Sequence, residues 1–183
     1  MKKAIDTVLD KTYDVVAGVD ASTKSVAVSI VNKNGPLGMF LIELEHGDIY
    51  SRLSSVRQRF IAIMKMHRPE ICVIEAPIMV QNPETMKHMA YVIGILFGAC
   101  LELGIRVQDV PPMRWKSHLG YKALSKHDKE QIIAKMGATD GKAYIRNYNK
   151  SSIQSILVNR YPRFKTAISN HDLADSLGVA VYA

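Results

Sequence analysis

Four carboxylates stand where a charge is expensive to keep. Asp20 follows the apolar run Val15–Val19, and Glu75 follows a second run, Ile71–Ile74. Both runs lack a polar face, the composition of strands buried on both sides. Asp172 and Asp175 lie in the first turn of an otherwise apolar closing stretch, HDLADSLGVAVYA. Residues three apart share a helix face, so these two point the same way, beside the stripe of Leu173, Leu177 and Ala180. A single aspartate there would be accounted for by the helix dipole. Two on one face, next to an apolar stripe, ask for a partner of opposite charge. Four carboxylates meeting at one place would raise each other's pKa values, and divalent cations relieve that repulsion. Hard oxygen donors with no matching Cys or His set favour Mg²⁺, with Mn²⁺ as the alternative. Two such ions can activate water and stabilise the leaving oxygen of a phosphodiester.

The charge pattern agrees with a polyanionic substrate. The chain has 183 residues, with 24 Lys and Arg against 17 Asp and Glu, a net charge of +7. Twelve of those bases but only three acids fall between Pro111 and Lys165, so the rest of the chain is slightly acidic. A concentrated basic segment beside an acidic centre fits a phosphate backbone. The alternative is a solvated lysine-rich surface. Cys72 and Cys100 lie in apolar runs and read as reduced core residues, with no metal-ligand spacing. No stretch reads as a signal peptide or a membrane span, so the expected location is the cytoplasm and no membrane partner is expected.

The elements that must position the carboxylates follow from periodicity. After Asp20, the residues Ala-Ser-Thr-Lys form a turn, and Ser25–Val31 alternates as a second strand. Asn34-Gly35 marks a hairpin into a third strand, Leu37–Leu44. Asp48 caps a helix whose apolar face is Ile49, Leu53, Val56, Phe60 and Ile63. A helix between the first and fourth strands makes a parallel crossover, so Asp20 and Glu75 are expected on the same sheet edge. A helix over about 84–103 has Gly94 and Gly98 spaced for close packing on the sheet. A fifth strand, Ile105–Val110, leads into a short helix carrying Arg114, Trp115 and Lys116. Lys126–Met136 reads as helical, Gly137–Tyr148 as turn-rich, Ser151–Arg160 as a helix, and the last helix starts near His171.

In order and spacing these features resemble the RNase H-like superfamily, and within it the RuvC-type Holliday junction resolvases. Three stretches carry the likeness: AGVDASTKSVAVSIV, VIEAPIMVQNPETMKHMAYVIG and HDLADSLGVAVYA, the last close to the family's Asp-x-x-Asp-Ala-Leu-Ala ending. Pro112–Leu119 and KSSIQSILVNRYP are weaker echoes. The resemblance implies an α/β fold with a five-stranded mixed sheet, order 3-2-1-4-5, flanked by helices. It implies one nuclease domain over 15–183, an N-terminal extension over 1–14 and an insertion at about 120–149.

The resemblance also implies Asp20, Glu75, Asp172 and Asp175 as catalytic ligands of two Mg²⁺ ions. It places Lys116 and Lys150 near the scissile phosphate, with Lys126 or Lys129 as alternatives to Lys150. DNA contact falls to Ile78, Met79, Asn82, Lys87, Arg114, Lys116 and Lys150. The implied assembly is a homodimer that nicks opposed strands of a four-way junction, leaving 5′ phosphates. Two departures stand out. Ala21-Ser22 replaces the usual Pro-Gly or Gly-Ser after the first aspartate. Ile78 and Met79 replace the aromatic often found in the loop after the glutamate. The competing readings are a nuclease for flaps, forks or RNA–DNA hybrids, a branched-DNA-binding module without cleavage, and a structural protein with an acidic sheet edge.

Overall fold

Five strands form one mixed sheet, ordered β3-β2-β1-β4-β5, as the resemblance implies. The computed structural model describes residues 13–44, 47–77 and 82–183. The strands are β1 (Val15–Ala21), β2 (Ser25–Asn32), β3 (Gly35–Glu43), β4 (Ile71–Glu75) and β5 (Arg106–Val110). The helices are α1 (Ile49–His67), α2 (Pro83–Glu102), α3 (Pro112–His118), α4 (Lys126–Met136), α5 (Ala138–Arg160), α6 (Lys165–Ile168) and α7 (His171–Tyr182). β1 pairs antiparallel with β2 and parallel with β4, and β4 pairs parallel with β5. The expected N-terminal extension falls almost wholly outside the described residues.

Side-chain alternation splits the core into two layers. Ala17, Val19, Cys72 and Ile74 face α1 and α2, where Val56, Phe60, Val92 and Leu96 fill the space. Val16, Ile71 and Val73 face the other way, toward Trp115, Leu157, Leu177 and Ala180. Period two then assigns Asp20 and Glu75 to this second face, the one that α7 covers. The packing there depends on small residues. A Cβ on Gly18 would lie 2.3 Å from both the Ala180 nitrogen and the Ser176 carbonyl oxygen of α7. On β2, Ala27 and Ser29 share that face, and the Ser29 and Ser176 hydroxyls, both buried, are hydrogen-bonded at 2.7 Å. Gly178, in turn, leaves room for the fully buried Trp115 ring.

Two expectations are corrected. Gly94 and Gly98 do not press on the sheet: a Cβ on either meets nothing within 4 Å. The sheet-facing side of α2 is Val92, Leu96, Ala99 and Cys100, one step round the helix. Apart from Gly137, the stretch 137–148 is not a series of turns but the first half of the continuous helix α5. The break sits at Gly137, at φ +83°, between α4 and α5. Gly141 is buried within the helix because α4 comes close: a Cβ there would be 2.8 Å from the Ile133 Cα. α4 itself buries none of its residues.

Two glycine substitutions separate these roles. Gly18→Ala is expected to lower stability by about 3 kcal/mol or more, because rigid backbone opposes the new methyl. Gly94→Ala, where an added Cβ meets nothing within the chain, is expected to raise the stability of the isolated monomer by about 0.5–1 kcal/mol. Chemical denaturation of the two variants checks both signs.

Candidate active site

Three elements distant in sequence deliver the acidic cluster. Val19 is in register with Ile74, so Asp20 and Glu75 follow at the same level of adjacent parallel strands. α7 crosses that edge with its first turn. Its N-cap is Asn170, whose side chain accepts from the Leu173 N–H at 3.0 Å, so neither aspartate of the turn is occupied as the cap. Asp20, Glu75 and Asp175 each offer a carboxylate oxygen within 4.8 Å of the others'. Asp172 stands apart from this group of three. Its Oδ2 accepts a hydrogen bond from the Ser25 hydroxyl at 2.7 Å.

The site is half-buried and rich in like charge. Burial is the largest influence on Asp20, followed by the charges of Glu75, Asp175 and Asp172; together they push it from its ordinary 3.8 up to about 8. Glu75 is pushed up from 4.5 to about 7, by burial and then by Asp175. Asp175 is raised too, chiefly by burial. Lys116 opposes all three shifts, and its Nζ lies 3.9 Å from Asp175 Oδ2. Lys150 acts on Asp175 in the same sense more weakly. The three acids titrate as a set. Carboxylates held this close, in three protonation-sensitive positions, match the oxygen-rich coordination that Mg²⁺ or Mn²⁺ requires.

Other candidates from the sequence are placed as follows. Asn82 caps α2, accepting from the Glu84 N–H at 2.9 Å. Lys87 pairs with Glu84 at 2.9 Å on the exposed side of α2. Arg114 is exposed on α3, beside Lys116 in sequence. Lys126 pairs with Glu130 at 3.8 Å, within α4. Ile78 and Met79 lie outside the described residues.

Two residues near the site were not read from the sequence as part of it. Trp115, expected as a packing anchor, is that, but its indole also lies beside Glu75 and favours the charged form. Its buried Nε1 makes no hydrogen bond of regular geometry. Ser25 read only as the start of a strand, yet it holds Asp172. The signal available for Ser25 was its place just past the turn that follows Asp20.

An acidic site at the parallel edge of this sheet fits the RNase H-like class that the sequence resembles, and comparison with known proteins narrows the class. The family model for crossover junction endodeoxyribonuclease RuvC matches residues 16–138. The chain belongs to the RuvC family. The matched residues contain Asp20, Glu75 and Lys116 and end before Asp172 and Asp175. Curated relatives include the crossover junction endodeoxyribonuclease RuvC of Bacteroides fragilis, 24% identical over 147 residues, covering 70% of this chain and 78% of that one. The RuvC of Caldanaerobacter subterraneus subsp. tengcongensis is 27% identical over 124 residues, covering 64% and 75%. Among solved structures, Thermus thermophilus RuvC in complex with a Holliday junction substrate aligns with TM-score 0.66 at 19% identity, covering 92% of this chain and 91% of that one. The yeast mitochondrial Holliday junction resolvase aligns with TM-score 0.53 at 15% identity, covering 91% and 76%. These structural likenesses show a shared fold over most of the chain.

The raised acids make a signed prediction. Between their unfolded and folded pKa values the native state binds more protons than the unfolded chain, so stability falls as pH rises. Without metal, the melting temperature is expected to drop from about pH 5 to pH 8 through this site. Asp20→Asn removes the largest share. It is expected to raise the metal-free melting temperature at pH 8 by roughly 3–8 °C, corresponding to about 2 kcal/mol. Thermal melts in EDTA across this range check it. A variant melting below the wild type at pH 8 would contradict it.

Proposed function

We propose that this protein is a structure-selective endodeoxyribonuclease that resolves four-way DNA junctions by two-metal-ion phosphodiester hydrolysis. The observation that carries the reading is the meeting of Asp20, Glu75 and Asp175 from β1, β4 and α7 within 4.8 Å, beside Lys116. Family membership supports the substrate class. Bound divalent ions, Mg²⁺ or Mn²⁺, would supply Lewis-acid activation of the scissile phosphate and of the attacking water.

The chain's own residues divide the remaining work. Asp20, Glu75 and Asp175 would hold the ions, with Asp172 contributing from the side. Lys116, 3.9 Å from Asp175 Oδ2, would contact a non-bridging phosphate oxygen of the bound strand. Lys150 and Arg114 extend positive charge away from the site, as phosphate contacts that fix register without reading sequence. Trp115 and α7 keep water from the buried side.

Paired nicking requires two sites, which a homodimer provides. On α2, Tyr91 is 43% and Leu101 68% exposed, and the open Gly94 and Gly98 lie along the same helix. That combination of small and apolar residues supports α2 as the face a second copy covers.

The test is cleavage of a synthetic immobile four-way junction, a fork and a linear duplex of matched sequence. Metal-dependent paired nicks in the junction are expected, abolished by EDTA and by Asp175→Asn. Lys116→Ala is expected to slow cleavage by roughly 10²-fold, as for loss of one transition-state contact. Equal cutting of the fork would point instead to a general branched-DNA nuclease. Tight junction binding without cleavage in either metal would overturn the enzymatic reading.

A further inference from the structure

A directed chain of hydrogen bonds ends on Asp172. Ser22 Oγ accepts the backbone N–H groups of Lys24 at 3.1 Å and Ser25 at 2.9 Å. Those two bonds fill its acceptor capacity, so its own proton is the one it can give. That proton goes to Ser25, whose carbonyl oxygen lies at 3.0 Å and whose hydroxyl lies at 3.1 Å. With its neighbour already donating, Ser25 directs its hydroxyl proton to Asp172 Oδ2, at 2.7 Å. This length suits a charge-assisted O–H···O⁻ bond, and donors lined up head to tail reinforce one another.

Asp172 lies outside the group of three carboxylates whose oxygens converge, yet its charge still acts on Asp20 and Asp175. Its Oδ2 is tied to Ser25, so Oδ1 is the oxygen left without that bond. The turn that carries the device is the same Ala21-Ser22 stretch that departs from the family's usual residues.

We propose that Ser25, oriented by Ser22, is a positioning residue that holds Asp172 apart from the three-carboxylate group and presents its free oxygen to a second, weaker divalent cation. The inference rests on the two-ion reading above and adds an order of affinity: a tight site at Asp20, Glu75 and Asp175, and a weaker one completed by Asp172. Hydrogen-bond partners of metal ligands commonly set affinity by 10–100-fold.

The experiment is Mn²⁺ binding to the metal-free, full-length protein, followed by electron paramagnetic resonance of the free ion and by calorimetry. Wild type is expected to show two classes of site. Ser25→Ala is expected to weaken the lower-affinity class by about 10-fold or more and to leave the tight class within about two-fold. Ser25→Thr, which keeps the hydroxyl, is expected to restore it. The metal-free melting temperatures of both variants verify that they fold. A single class in wild type, or an unchanged weaker class in Ser25→Ala, overturns the proposal. Failure of the resolvase reading would look different: both cation classes present in wild type, with no branched DNA cut.

Discussion

Helix α7 can lie on β1 only because position 18 has no side chain. A methyl there would enter the α7 backbone at two points. The rest of the molecule follows from that approach. It lets a helix with seven buried residues cover the second face of the sheet. It brings the N-terminal end of that helix, with Asp172 and Asp175, down to the edge where the parallel strands leave Asp20 and Glu75. It also explains the small residues nearby: Ala27 and Ser29 on β2, and Ser176 and Gly178 on α7, each keep the layers within backbone distance. Larger side chains at these positions would push α7 off the sheet and disperse the carboxylates.

Close packing has an electrostatic cost. The helix that delivers Asp175 also shields Asp20 and Glu75 from water, and burial outweighs every individual charge in raising all three acids. Lys116 and the Trp115 indole offset part of this, and both come from α3, directly after β5. The site is thus built at the expense of stability in the absence of a cation, and the same feature makes it selective for one. A divalent ion gains from discharging a cluster that the fold has already paid to assemble.

Much of this was legible in the sequence. The runs Val15–Val19 and Ile71–Ile74, each closed by an acid, were enough to place Asp20 and Glu75 on one edge, because parallel strands joined by a helix must end together. Asp48 as a cap and Asn34-Gly35 as a hairpin were local signals and hold in the structure. What could not be read depends on what lies across the gap between elements. Gly94, Gly98 and Gly141 look alike in sequence, yet only Gly141 has another backbone against it. Gly18, the position that matters most, sits unremarked in an apolar strand. Asp172 and Asp175 are equivalent by helical spacing, and the hydroxyl of Ser25, far away in sequence, is what separates them.

The carboxylates hold protons near neutrality and surrender them to a divalent cation. Calorimetry of Mg²⁺ or Mn²⁺ binding, in buffers of different ionisation enthalpy, measures that exchange directly. With Asp20 near 8 and Glu75 near 7, binding at pH 7 is expected to release about one to two protons per chain, falling toward zero by about pH 9.5. A binding enthalpy independent of buffer at pH 7 would mean that the acids are already ionised, and would contradict the account.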